Sequence, residues 1–194
     1  MMTEKQIEKM EIKEENIFSA YNSADENGKA VKQADNRPVT GRIKTFEDAC
    51  NELGEDHPFV KAYNGYAINI HEDNKNDTDI LAYLKLRIIV AALNEGWEPE
   101  FSKKEKRFVP WHILWTRDEL SQKSEEWKSD RHLMMIGETY RTEFAGFASA
   151  NSANVSSAET AYFDSRLCLR TDTLATYCGK QFMSLWADFY LIRK

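Results

Sequence analysis

The strongest constraint on the fold is one apolar run, Asp79 to Glu95, reading DILAYLKLRIIVAALNE. Ile80, Leu84, Ile88 and Ala91 recur three or four residues apart, and Leu81, Ile89 and Ala92 widen the stripe. That spacing predicts a helix over 79–95 with a broad buried face. Asp77 or Thr78 can cap its first turn, Asp79 suits the positive end of the helix dipole, and Gly96 suits a left-handed stop. Only Lys85, Arg87 and Glu95 mark a narrower wet side. A helix so apolar must be packed on more than one side, and the mid-run cations argue against a membrane span.

The covering elements are sought on either side of it. Thr45 with Asp48 makes a capping box for a short helix over 45–53, and Gly54 ends it. Pro58, at a favoured first helical position, opens a second over 58–64, with His57 before it as a local cap. Tyr66 to Ile70 reads as a short strand, followed by a solvated loop over Glu72 to Asp77. Trp97 to Phe101 and Arg107 to Trp115 have strand composition, with SKKEK as the turn of a hairpin. In the second, Trp111, Ile113 and Trp115 alternate onto one face and His112 and Leu114 onto the other. Pro110, which cannot donate to a ladder, puts that strand at an edge or a bulge. Residues 116–132 are charged, with a helical turn around Glu119 to Trp127. Met134 to Ile136 read as a short strand, and residues 137–165, rich in Ala, Ser, Gly and Asn, lack periodicity and read as an ordered irregular layer. Thr171 caps a terminal helix whose buried face is Leu174, Cys178, Gln181, Phe182, Leu185, Phe189 and Ile192. Gly179, costly inside a helix, marks a close approach by another element.

These elements predict an α+β fold. A small antiparallel sheet from 97–115, 133–147 and 166–169 is covered by helices 79–95 and 172–192, with short helices 45–53 and 58–64 at one end. Residues 1–40 read as a charged N-terminal arm and linker, and 41–194 as a single domain. At 194 residues and 42% hydrophobic composition the chain can bury one ordinary core. Its net charge of -6 argues against a dedicated duplex-DNA binder. The three cysteines form no CxxC pair and predict buried thiols in a reducing compartment. The charged N-terminus has no signal-peptide core, which predicts a cytoplasmic protein and no membrane partner.

Chemistry is thinly signalled. The four histidines sit in no metal-ligand spacing, no GxSxG elbow or phosphate loop occurs, and paired acids are too common to mark a site. No catalytic residue, metal or cofactor is therefore assigned. The candidate binding set is Trp97, Phe101, Lys103, Lys104, Lys106, Arg107 and Trp111, where aromatics beside cations suit stacked single-stranded bases. The plain alternative is an ordinary core under helix 79–95 beside a solvated lysine turn. Segment 144–165 is a further candidate surface, or a buried crossover.

RIKTFEDACNELG (Arg42 to Gly54), YLKLRIIVAALNEGWEP (Tyr83 to Pro99), RFVPW (Arg107 to Trp111), YFDSRLCLRTDTLATYCGKQF (Tyr162 to Phe182) and the closing LWADFYLI occur in this order. Together they resemble a family of small uncharacterised proteins from phages and prophage-like elements of Bacteroides-group bacteria. The resemblance spans about 42–192 and implies a mobile-element setting, inside the host cell or associated with a virion, but no activity. The expectation is a non-catalytic binding or assembly protein, acting on a protein partner or on further copies of itself. Single-stranded nucleic-acid binding through 97–115 is the first alternative, and an enzyme with a site invisible in sequence the second.

Overall fold

The computed structural model describes residues 35–68, 78–100, 105–156 and 165–194, and of 151–156 and 165 the backbone alone. The chain divides after Arg37 into two units, Met1–Arg37 and Pro38–Lys194, and every element below belongs to the second. Phe101, Lys103, Lys104, the loop Glu72–Asp77 and the arm's amphipathic stretch lie outside the described residues.

The architecture is α+β, a three-stranded antiparallel sheet with helices stacked on one face. In order come α1 (Val39–Arg42), α2 (Phe46–Leu53), α3 (Pro58–Ala67), α4 (Thr78–Asn94) and β1 (Lys106–Trp115). Then follow α5 (Arg117–Ser121), α6 (Glu125–Asp130), β2 (Met134–Met135), β3 (Gly146–Ser156), a 3-10 turn (Ser165–Leu167), α7 (Asp172–Gln181) and α8 (Met183–Tyr190). The strand order is β1-β3-β2, so β3 is central.

Helix α4 is the hub of the core. Leu86, Ile88, Ile89 and Leu93 are fully buried, with α2 and α3 on one side and α8 on another. Each such side chain contributes roughly 1.5–3 kcal/mol. Its neighbours start where the sequence supplies caps. Thr45 and Asp48 form the expected capping box on α2, and Thr171 accepts from Leu174 N–H on α7. At α3, Phe59 N–H donates to His57 Nδ1. Pro58 occupies the first turn, and the helix runs on to Ala67 where a strand from Tyr66 was expected.

Four expectations need correction. The hairpin is absent from the described residues: Trp97–Glu100 is not a strand. Glu95 and Gly96 both take left-handed φ (49° and 83°), which turns the chain, and Pro99 cannot donate to a ladder. The segment read as an irregular layer contains β3, an eleven-residue strand at the centre of the sheet. The strand expected over 166–169 is the 3-10 turn plus a single bridge, Phe108 to Leu169. The terminal helix bends at Phe182 (φ -111°, ψ 34°) into α7 and α8 and ends at Tyr190, so Gln181 and Ile192, expected on its buried face, are exposed. The bend lets Phe189 stack on Tyr83 of α4 while Trp186 and Tyr190 stay beside His112 of β1.

The small residues of β3 have a steric reason. A Cβ on Gly146 would lie 2.7 Å from Leu120 Cδ1 and 2.8 Å from Leu133 Cδ1. On the other face, a Cβ on Gly179 of α7 would lie 2.9 Å from Pro110 Cβ. The Leu120 and Leu133 side chains fill the space over Gly146 on one face, and α7 comes close to Pro110 of β1 on the other.

Candidate functional site

Strand β1 sorts its residues as the alternation predicted. Phe108, Pro110, His112 and Leu114 face the helices. His112 stacks on Phe147 at 4.6 Å and approaches Gly179 O through Nε2 at 3.1 Å. Trp111, Ile113 and Trp115 face outward. Pro110 sits where β1 forms the sheet edge, next to a register shift: Pro110 pairs with Ser152 but His112 with Ser149. Two residues of β3, Ala150 and Asn151, therefore bulge opposite Trp111.

The outward face is open over much of this end. Trp111 is 55% exposed, Ile113 41%, and Met135 of β2 60%. Register places all three on one face, since Met135 pairs with Gly146 and Gly146 with Trp115. Trp115 is partly covered: Trp127 of α6 meets it edge-on at 5.1 Å and Lys123 Nζ lies 4.8 Å from its ring. Trp111 and Ile113 thus leave an exposed apolar pair at one end of this face, and Met135 is exposed apart from them, with Leu120 and Leu133 over the Gly146 that separates it from Trp115.

The candidate set from sequence is dispersed. Trp111 and Lys106 are exposed on β1. Arg107 is 3% exposed, so its charge is not offered to a phosphate. Phe108 packs against the core. Trp97 lies elsewhere, in a cavity of about 440 Å³ lined by α2, α3, α4 and the Arg166–Cys168 turn. The structure therefore does not bring the described aromatics together as a stacking platform.

That cavity corrects another reading, the wet side of α4. Lys85 Nζ lies 5.2 Å from the Phe46 ring and 5.8 Å from that of Tyr63. Arg87 Cζ lies 3.9 Å from the Phe59 ring and 5.9 Å from that of Tyr83. Both cations rest against aromatic rings of α2 and α3, and Arg87 also against Tyr83 of its own helix, contacts worth about 0.5–2 kcal/mol each. Arg87 Nε is buried without an acceptor, and such an unmet donor costs about 1–3 kcal/mol. The sequence signal was there, a charge inside the most apolar run, but periodicity alone assigned it to solvent.

Two further polar groupings escaped the sequence reading. Asn94, 3% exposed, donates from Nδ2 to Cys168 O (2.9 Å) and accepts at Oδ1 from Arg170 N–H (3.1 Å). Next to it, Glu95 pairs with both Arg42 and Arg170, fastening the end of α4 to α1 and to the segment before α7. At the chain's far end, Tyr140 Oη donates to Asp188 Oδ1 at 2.7 Å, and Arg193 grips both Asp188 oxygens at 2.7 and 2.8 Å. Burial and the Asp188 carboxylate push the Tyr140 hydroxyl up to about 12.

The buried titratable groups are structural in their surroundings. Burial holds His112 down at about 4, so it is neutral near pH 7. Burial raises the Cys178 thiol to about 12, and raises Cys50 more modestly; all three cysteines are free. Among the described residues no cluster of three His, Cys, Asp or Glu could hold a metal ion, and no helix is long and apolar enough to cross a membrane.

No protein-family model, no curated protein and no solved structure matches this chain.

Proposed function

We propose that this chain is a binding or assembly protein, of the phage or prophage kind its motifs resemble, and that its working surface is the open sheet face around Trp111. The exposure of Trp111 and Ile113, successive outward positions of β1, supports this reading. Large apolar side chains left open side by side on a sheet face mark contact with a partner. A second copy of the chain is the partner the shape favours. One sheet face covers another by aligned packing, and a twofold contact uses the same patch twice.

Nucleic acid is the second reading, kept by the exposure of Trp111 and Lys106 on one strand. It ranks lower because the next outward residue beside Trp111 on β1 is Ile113, which offers no ring to a second base. Sedimentation velocity separates the two. The wild-type chain is expected to associate as concentration rises, and Trp111→Ser with Met135→Ser to remain monomeric with unchanged thermal unfolding. A wild-type chain monomeric at every concentration overturns self-assembly. Binding of an oligothymidylate that Trp111→Ser abolishes would install the second reading instead.

A further inference from the structure

The cavity beside α4 is separate from the open sheet face and has a chemistry of its own. We propose that it binds a small monocarboxylate carried on a flat apolar body, with Arg87 as the anchor. The proposal does not depend on the sheet-face reading.

Arg87 is a cation without an anion. It makes no hydrogen bond and no ion pair with any described residue, and its neighbours are the rings of Phe59 and Tyr83. Those rings hold the side chain from α3 and from its own helix α4, and its Nε is buried. The cavity it lines, about 440 Å³, is of the size that takes small organic ligands. Leu53, Pro58 and Val90 give apolar walls, while Phe59 and Trp97 supply flat aromatic surfaces for a planar body. His57 also lines it. Because His57 Nδ1 accepts the Phe59 N–H, Nε2 is the ring nitrogen that can donate.

Charge decides the ligand class. Among the described lining residues Arg87 offers a single guanidinium, and Glu98 brings a negative charge that opposes a second one on the ligand. That balance matches a monoanion and opposes a dianion such as a phosphate monoester. The guanidinium fork also fits the two oxygens of a carboxylate.

The test titrates the full chain with benzoate, benzamide and phenyl phosphate, read by tryptophan fluorescence and ligand-observed NMR. Benzoate is expected to saturate in the millimolar range, as suits a ligand of so few atoms. Benzamide, the same shape without charge, should bind at least about tenfold more weakly, and Arg87→Met should weaken benzoate by a similar factor. Phenyl phosphate should bind less well than benzoate. Glu98→Gln, at an exposed position, should tighten benzoate. Failure of benzoate to saturate, equal binding of benzamide, or unchanged affinity in Arg87→Met overturns the proposal. Tighter binding of phenyl phosphate overturns the monoanion assignment. Should Arg87→Met fail to fold by circular dichroism, Glu98→Gln carries the test, and unchanged benzoate affinity in that variant overturns it.

Discussion

His112 shows how one residue couples packing to pH. It sits among Phe147, Trp186 and Tyr190, all uncharged between pH 4 and 7, with Nε2–H directed at Gly179 O and Nδ1 buried without a partner. Its folded pKa of about 4 lies below the ordinary 6.5. Between those values the unfolded chain takes up a proton that the folded chain refuses, so stability falls as pH falls through this window. The loss is on the order of 3 kcal/mol if the whole shift is realised. Urea midpoints measured from pH 7 to pH 4 should therefore drop steeply for the wild type and more shallowly for His112→Gln. Equal slopes would show that the burial of His112 is not what sets the pH dependence. The position of His112 on the inner face was legible from strand alternation. Its partners were not, because Phe147 lies on a strand that no periodicity announced.

At the scale of elements, the end of α4 is held by polar contacts. Asn94 answers a carbonyl and an amide of the Cys168–Arg170 segment. Asn94→Ala leaves them facing a small void, and the expected cost is about 1–3 kcal/mol by urea unfolding. Asn94→Asp should restore the Arg170 bond but not the Cys168 bond, and fall between. An Asn94→Ala chain as stable as wild type would mean that water replaces the clamp. The caps of α2, α3 and α7 could be read directly, since a cap is a bond between residues two or three positions apart. β3 could not. Its Gly, Ala, Ser and Asn have low strand propensity, and they form the central strand because β1 and β2 pair with both its edges while helices press on its faces.

For the whole molecule, closure depends on its last residues. Arg141 N–H donates to Ile192 O and Lys194 N–H to Thr139 O, while the Tyr140–Asp188–Arg193 grouping ties α8 to the chain before β3. Asp188→Asn removes a charge-assisted pair from Arg193 and weakens the Tyr140 bond. A loss of about 1–3 kcal/mol is expected, with the sheet-face and cavity properties unchanged. Calorimetry on this variant checks it, and an unaltered unfolding temperature would show that the latch is ornamental to stability. The same scale decides which apolar groups are covered. Trp115 meets Trp127 and Lys123, whereas Trp111, two residues away on the same face, stays open.

What the sequence determined by itself was local: the span of α4, its need for several neighbours, the helix caps, the alternation of β1 and the α+β class. Each rests on residues a few positions apart, where hydrogen bonding and side-chain direction follow from the backbone period. Tertiary structure alone decided the rest. It placed small residues in the central strand, bent the terminal helix at Phe182, seated Lys85 and Arg87 of α4 against aromatic rings, and left Trp111 exposed while burying Arg107. The physical reason is the same in each case. A side chain's own period says which face it occupies, but whether that face meets water, a ring or a backbone depends on segments far away in the chain.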